Sequence, residues 1–350
     1  MIIQATDFDL RSRNTFGLPC IAAQWVEYSS RDDIPAVAAM LDGDMPRLLL
    51  GGGSNILFTT PVFPGTVVHS NILTIDAEVL DGGRVRVTAG SGITMDRLVE
   101  RTCTAGLWGM ENLSLIPGEV GASAVQNVGA YGCEAADLIE TVEAFDTVAH
   151  RFVTFSAEEC CFAYRHSFFK TPEARGRYII AAVSFILSSK PAPRLDYGNL
   201  SAAFAGGRDI TPMAVREVVT ETRNSKLPDP SVAGSAGSYF TNPQVQPAVF
   251  EAVKAKAVAM FGPDVKVPHF IQPDGRVKIP AAWLIDRSGL KGATEGGAGL
   301  WPTQPLVIAN LTGDCTAADV IALENRVVAT VESTFGVHLV PEVEKAPLLS

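Results

Sequence analysis

Three consecutive glycines, Gly51-Gly52-Gly53, followed by Ser54-Asn55, stand directly behind the apolar run Leu48-Leu49-Leu50. A short apolar run ending in a turn signal reads as a buried strand. Glycines at its end let the backbone turn tightly and approach a ligand with no Cβ in the way. Successive free N–H groups in such a turn form a concave anion site suited to a diphosphate. The polar pair that follows can hydrogen-bond a phosphate or a ribose. Taken alone, these five residues are equally well read as an ordinary glycine-rich turn.

A second segment shifts that balance. Ile116-Pro117-Gly118-Glu119-Val120-Gly121-Ala122-Ser123-Ala124-Val125-Gln126-Asn127-Val128-Gly129-Ala130-Tyr131-Gly132 is rich in glycine, alanine and small polar residues. Such a backbone can lie against something large and flat, although a close-packed turn is the alternative. Two such segments about 65 residues apart fit one long ligand gripped from two sides, and a dinucleotide is long enough to need both. The G-x-G-x-x-G fingerprint and its strand–glycine–helix context are absent from these segments, so a dinucleotide would bind here on a fold other than the Rossmann type.

The chain has 350 residues, which indicates two or three domains. With 47% hydrophobic and 19% charged residues it reads as well packed, with no segment composed like a disordered region. A net charge of −10 argues against nucleic acid as the main partner. The first residues lack a basic region followed by an apolar stretch, and no run approaches the ~18 apolar residues of a membrane-spanning helix, so neither a signal peptide nor a membrane partner is expected. The six cysteines, Cys20, Cys103, Cys133, Cys160, Cys161 and Cys315, form no C-x-x-C pair. They read as reduced, mostly buried thiols of a cytosolic protein. His69, His150, His166, His269 and His338 show no metal spacing and read as structural or solvated; no metal is expected.

The coarse pattern is α+β without strict βαβ alternation. Residues 22–28, 47–50, 65–68 and 85–89 read as strands. A helix over 34–41 follows the capping candidates Ser30 and Asp32, and another follows Thr94, with Leu98, Val99 and Thr102 on one face. Strands are expected at 142–145, 152–155 and 178–187. Thr211-Pro212 opens a helix carrying Val215, Val218 and Val219. The proline-punctuated run Lys226-Leu227-Pro228-Asp229-Pro230 reads as a domain boundary. Beyond it, helices are expected over 248–261 and 281–288, with a strand at 305–310. A capping box, Thr316 to Asp319, precedes the stripe Val320, Leu323, Val327 and Val331, stopped by Gly336. A final strand is expected over 337–343.

The segments Leu50-Gly51-Gly52-Gly53-Ser54-Asn55, Ile116-Pro117-Gly118 and Gln126-Asn127-Val128-Gly129-Ala130-Tyr131-Gly132 resemble the flavin-binding signatures of the UDP-N-acetylenolpyruvoylglucosamine reductases. The likeness continues in order through Tyr164-Arg165-His166-Ser167-Phe168-Phe169-Lys170, Lys226-Leu227-Pro228-Asp229-Pro230, Gly237-Ser238-Tyr239-Phe240-Thr241-Asn242-Pro243, Ala282-Trp283-Leu284-Ile285-Asp286 and Pro341-Glu342-Val343. It spans residues 14–344.

The resemblance implies a vanillyl-alcohol-oxidase-like α+β fold. Residues 1–70 and 71–222 would hold non-covalent FAD, and 223–336 would bind substrate, with the final strand packing back on 71–222. It implies a cytoplasmic bacterial reductase, acting as a monomer, that uses NADPH on UDP-N-acetylglucosamine enolpyruvate. Gly51, Gly52, Gly53, Ser54, Asn55, Ile116, Pro117, Gly118, Gly121, Ala122, Ser123, Asn127 and Gly129 match the cofactor-binding positions. Arg165 matches the arginine that holds the charge building on the substrate carboxylate, Ser238 the serine that donates a proton to C2, and Glu342 the glutamate beside the developing acid. Tyr197, in Tyr197-Gly198-Asn199-Leu200, resembles the mobile tyrosine of one of the family's two subtypes. Arg223 and Lys226 are candidates for the substrate diphosphate or the NADPH phosphate, and Tyr131, Asn242 and Gln304 match other polar contacts.

The chain departs from the family pattern at Trp301, at Ala124-Val125 and at Glu344, the last putting one flavin contact in doubt. A flavin oxidase of the same fold, acting on an alcohol or hydroxy acid, is the alternative enzyme. Such oxidases often carry a flavin-linking histidine where this chain has Ser54. A flavin-binding protein without catalysis would not need Arg165, Ser238 and Glu342 together.

Overall fold

The computed structural model describes the chain apart from Asp42, Asp44, Asn199 and residues 348–350. The described residues form two compact units: Met1–Asp9, Ile21–Gly53 and Val62–Ser225 in the first, and Leu10–Cys20, Ser54–Pro61 and Lys226 onward in the second.

The first unit holds two sheets of four and five strands, besides the short pair Gly129–Ala130 and Cys133–Glu134. One is ordered Ile2–Asp9, Ile21–Tyr28, Val62–Ser70, Arg47–Leu50. Val62–Ser70 runs parallel to both of its neighbours, and its residues from Gly65 onward are buried on both faces, as a central parallel strand requires. Arg47–Leu50 lies at the edge. Only Leu50 is fully buried there, so the glycine turn leaves an edge strand and not the doubly buried one expected from the apolar run.

The other sheet is antiparallel, ordered Arg151–Ser156, Ile139–Asp146, Tyr178–Ser188, Arg84–Gly90, Ile75–Val79. Its central strand separates two apolar cores. Ile180, Val183 and Phe185 face one core, shared with Leu98 and Val99 of helix Met95–Thr104 and with Val120 and Ala124 of helix Val120–Gln126. Ile179 and Ala181 face the other core, with Val26, Ile34, Val37, Val68 and Phe145. That is why the run Ile179–Ala181 is buried without alternation. Each such side chain contributes about 1.5–3 kcal/mol by leaving water.

The second unit is built on the sheet Gly234–Ser235, Gln304–Asn310, Ala298–Trp301, Thr294–Glu295. Helices Pro247–Phe261, Ala281–Arg287 and Ala317–Phe335 complete its core, which also takes in Phe16, Leu18 and Leu57 from the early part of the chain. The capping box forms as expected: the Thr316 side chain accepts from the Asp319 N–H, and Asp319 accepts from the Thr316 N–H. Val320, Leu323, Val327 and Val331 are buried, and Gly336 ends the helix in the left-handed region at φ 74°.

Three expectations are corrected. Ile2–Asp9 is an unforeseen strand; its better-buried residues are Ile2, Ala5 and Phe8, a spacing of three that masks a strand period. The final strand is Glu344–Ala346, not 337–343, because Pro341 has no N–H to donate and its neighbours make only isolated bonds. That strand pairs in parallel with Ile56–Phe58 instead of packing back on 71–222. Of the capping candidates, Ser30 does cap the turn Arg31–Asp33, in a capping box with Asp33, while the position before helix Ile34–Met40 is Asp33 and not Asp32. The other expected elements are present with ends shifted by a few residues, the largest change being Val62–Ser70 for 65–68.

Candidate functional site

In the first unit the two glycine-rich segments meet. A Cβ built on Gly52 would lie 3.1 Å from the Cα of Gly118, and one on Gly51 would lie 3.0 Å from the Cβ of Ala122 and 3.4 Å from Oε2 of Glu119. Gly121 is equally confined, its Cβ position 2.8 Å from the Cβ of Ser91. Gly52 therefore serves backbone-on-backbone packing, Gly51 and Gly121 serve close approach to the side chains of Ala122 and Ser91, and Gly53, at φ +62°, serves the turn itself. Any larger residue at 51 or 52 would push the two segments apart, so the pair forms one cradle of closely spaced main chain that suits a diphosphate group. Ser123 is buried, its hydroxyl donating to the Val120 carbonyl at 2.7 Å.

Beneath the cradle lies a buried polar chain. His69 is 6% exposed, with Nδ1 3.0 Å from Glu27 and Nε2 3.0 Å from Glu119. Its ring stacks on Trp25 at 5.4 Å. Of the five histidines, His69 is structural in this sense, while His338 is on the surface beside Glu332. Burial pushes the Tyr28 hydroxyl, next to Ser70 and Ser91, up to about 12. It also pushes the thiols of Cys103, Cys133, Cys160 and Cys315 up to about 12, so they stay protonated and inert. Among the described residues no disulfide joins the six cysteines, of which only Cys161 is exposed.

Arg165 adopts φ +55°, a conformation few side chains take. Its guanidinium donates to the carbonyls of Gly129, at 2.8 Å, and Asn127, at 3.4 Å. Asn127 (φ 46°) and Tyr131 (φ 49°) share this left-handed conformation, and strain of this kind gathers at functional sites. The side chain of Asn127 is taken up by the scaffold. Its Nδ2 donates to Glu134 and to the Ala163 carbonyl, and its Oδ1 accepts from the Ala136 N–H.

Tyr131 and Tyr197 meet edge to face at 6.0 Å. Arg223 lies in the electrostatic reach of Tyr131 and Asp96, and burial holds its pKa below the ordinary arginine value. Its Nε is buried and has no hydrogen-bond partner among the described residues. Asn199 of the tyrosine motif falls outside the described residues.

In the second unit Ser238 and Glu342 come together. Phe240 and Pro341 form an antiparallel bridge. The Glu342 N–H donates to the Tyr239 carbonyl at 2.8 Å, and the Thr241 N–H donates to the Val340 carbonyl at 3.0 Å. Ser238 is exposed and follows Gly237, which has φ +68°. Asn55, matched by sequence to a cofactor contact, directs its amide to the Glu342 carbonyl at 3.0 Å and accepts from the Glu344 N–H at 3.0 Å. The side chain of Asn242 accepts from the Ala281 N–H at 2.9 Å. Gln304 opens the strand next to Trp301, and the Lys226 carbonyl accepts from the Thr303 hydroxyl at 2.7 Å. Arg165, Asn127, Gly129, Tyr131, Tyr197 and Arg223 thus belong to the first unit, and Ser238, Asn242, Gln304, Lys226 and Glu342 to the second.

Sequence reasoning gave no role to Glu119, Asn112, Glu324 and Lys345, and read His69 as structural or solvated without its partners. Asn112 is buried and donates to the carbonyls of Tyr131 and Arg194, holding the substrate-matched tyrosine in place. The Leu113 side of that loop carries no motif that would have announced it. Among the described residues no cluster of His, Cys, Asp or Glu can hold a metal ion, and no helix is long and apolar enough to cross a membrane.

Comparison with known proteins agrees with this geometry. Residues 22–150 match the family model described as FAD binding domain, and residues 229–346 match UDP-N-acetylenolpyruvoylglucosamine reductase, C-terminal domain. The chain is 43% identical over 335 residues to a UDP-N-acetylenolpyruvoylglucosamine reductase of Neisseria gonorrhoeae, covering 95% of this chain and 94% of that protein. It is 41% identical over 336 residues to the one from Bacteroides fragilis, covering 96% and 98%. A solved UDP-N-acetylenolpyruvylglucosamine reductase from Thermus caldophilus superposes with a TM-score of 0.67 at 25% identity, covering 99% of each chain. The α+β fold with an FAD-binding domain is the fold of this chain, and the chain belongs to the UDP-N-acetylenolpyruvoylglucosamine reductase family.

Proposed function

We propose that this chain is an FAD-dependent reductase that uses NADPH to turn UDP-N-acetylglucosamine enolpyruvate into UDP-N-acetylmuramate, a precursor of peptidoglycan. The observation that carries the reading is the 43% identity across 95% of the chain to a reductase of that name. The backbone of Gly51, Gly52 and Gly53, packed on Gly118, Gly121 and Ala122, would hold the FAD diphosphate. Ile116, Pro117, Ser123, Asn127, Gly129, Ser54 and Asn55 frame the rest, Asn127 through its main chain. The chemistry FAD supplies when bound is hydride transfer, from NADPH to C3 of the enolpyruvyl group.

Negative charge then develops toward the substrate carboxylate. Arg165 offers a planar fork for it. Its guanidinium is already aimed by the Gly129 carbonyl, which limits reorganisation when substrate arrives. The Ser238 hydroxyl gives the proton to C2. As a weak acid it depends on fixed neighbours, and the Tyr239–Glu342 hydrogen bond fixes them. Glu342 hydrogen-bonds the developing acid. Tyr131, Tyr197, Lys226, Asn242 and Gln304 contact the UDP sugar. The orphaned, buried Nε of Arg223 supports that residue as an anion contact, since a buried donor needs a partner.

On this reading the enzyme is a monomer of the cytoplasm, acting on a small molecule without nucleic acid. Residues 1–70 and 71–222 are two FAD-binding subdomains and 223–336 is the substrate domain. One core lies wholly within 71–222, which supports that division; the other joins 1–70 to Phe145, Ile179 and Ala181, and Leu10–Cys20 and Ser54–Pro61 belong to the second unit. The test is NADPH oxidation by the yellow, FAD-loaded protein with and without UDP-N-acetylglucosamine enolpyruvate. Consumption that depends on that compound is expected, and consumption indifferent to it sinks the assignment.

A further inference from the structure

We propose that Tyr239, Glu324 and Lys345 form a buried clamp that positions Ser238 and Glu342 relative to each other and thereby sets the rate of proton delivery to substrate. The proposal rests on the roles given above to Ser238 and Glu342.

Glu324 is 6% exposed, on the inward face of helix Ala317–Phe335. Tyr239 is fully buried, and its hydroxyl donates to one oxygen of Glu324 at 2.7 Å. The Lys345 ammonium donates to the other at 2.8 Å. Burial and the adjacent carboxylate push the Tyr239 hydroxyl well above its ordinary value, so it stays a donor. A buried carboxylate is costly unless both oxygens are satisfied. Here one oxygen is bonded by the residue after Ser238, and the other by the third residue after Glu342. One side chain thus ties together the two segments on which the proposed proton-transfer residues sit.

The Glu342 segment is also tied by the Asn55 amide and by the Glu344–Ala346 strand pairing, whereas the Ser238 segment depends on Tyr239. Gly237 is left-handed, and nothing lies within 4 Å of where its Cβ would be, so the chain entering Ser238 is held on one side only. Position must come from Tyr239, whose N–H donates to the Leu306 carbonyl at 2.8 Å and whose carbonyl accepts from Glu342. A phenylalanine at 239 would keep the edge-on ring contacts with Phe16 and Phe240, at 6.4 and 5.2 Å. The hydroxyl adds only the bond to Glu324. Buried ion pairs replaced by apolar residues are often neutral or stabilising, so stability alone does not account for three polar groups here. Directional positioning does.

The test separates the two half-reactions in the FAD-loaded enzyme. Tyr239→Phe is expected to leave flavin reduction by NADPH within about twofold. Reoxidation by UDP-N-acetylglucosamine enolpyruvate should slow by roughly ten- to a hundredfold, the scale of a small misplacement of reacting groups, with KM for that substrate changed far less than kcat. The apolar triple variant Tyr239→Phe, Glu324→Met, Lys345→Met guards against simple loss of folding, since it removes the buried charges together. The clamp predicts that its melting temperature recovers while reoxidation stays slow. Reoxidation at the wild-type rate in the folded triple variant, or an equal fall of both half-reactions in Tyr239→Phe, overturns the clamp. Wild-type enzyme that does not respond to substrate at all overturns instead the functional reading beneath it.

Discussion

A methyl group built on Gly52 would lie 3.1 Å from the Cα of Gly118, whereas one built on Gly237 would meet nothing within 4 Å. The two glycines look alike in sequence, each in a small-residue run beside a serine. In the first unit glycine is needed because backbone packs on backbone. In the second it is needed because φ is +68° and the turn in front of Ser238 stays open. The first region is rigid by contact. The second is open on one side and fixed from behind by hydrogen bonds through Tyr239 and Asn55. A cradle for a cofactor gains from being close-packed, while a proton donor must be reachable and still held in register.

The largest expected effect breaks the open region chemically and leaves the packed one alone. Ser238→Ala should lower turnover by about 10²–10⁴-fold, the usual weight of a general acid, while flavin reduction by NADPH in stopped-flow measurements is kept. Loss of flavin reduction as well would make Ser238 structural and erase the contrast.

A second prediction asks which unit answers to acid. Two hydrogen bonds from Arg177 hold the Asp146 carboxyl down to about 2. A depressed carboxylate contributes stability above its ordinary value, near 4, and that contribution is lost as pH falls toward 2. Asp146→Asn should therefore cost about 2–3 kcal/mol at neutral pH, with the gap to wild type closing between about pH 4 and pH 2. Urea melts across that range check it, and a gap that persists at pH 2 refutes the account.

Gly52→Ala should cost about 1–3 kcal/mol through overpacking and weaken FAD retention, read as the fraction of flavin kept on gel filtration. Gly237→Ala should cost about 1–2 kcal/mol through left-handed strain alone, with flavin retained in full. Equal flavin loss in both variants would show that the two glycines do the same job.

Much of the site could be read from sequence because its residue types are unusual in themselves. Glycine runs, Arg165 among aromatics and Pro341-Glu342 are local signals, and the helix Ala317–Phe335 announced its cap, stripe and stop. What escaped was pairing at a distance. Asn55 follows the glycines matched to the cofactor, and nothing near it in sequence shows that its amide reaches a carbonyl 287 residues later. Glu324 fell outside the apolar stripe that was read, and nothing near it in sequence names Tyr239 or Lys345. His69 read as structural or solvated, and only the fold sets it between Glu27 and Glu119. Alternation is lost where a strand serves two cores, as at Ile179–Ala181, because no face is left to be polar, yet the apolar run still marks the strand.

The parallel pairing of Ile56–Phe58 with Glu344–Ala346 has a consequence for the chain as it is made. The ribosome releases the first of these strands about 290 residues before its partner, roughly 15–60 s earlier at ordinary synthesis speeds. Leu10–Cys20, Ser54–Pro61 and the Asn55 tether to Glu342 wait as well. The segment bearing Glu342 is thus delivered after both large sheets of the first unit, and the nascent protein can acquire those sheets long before it can acquire a reaction.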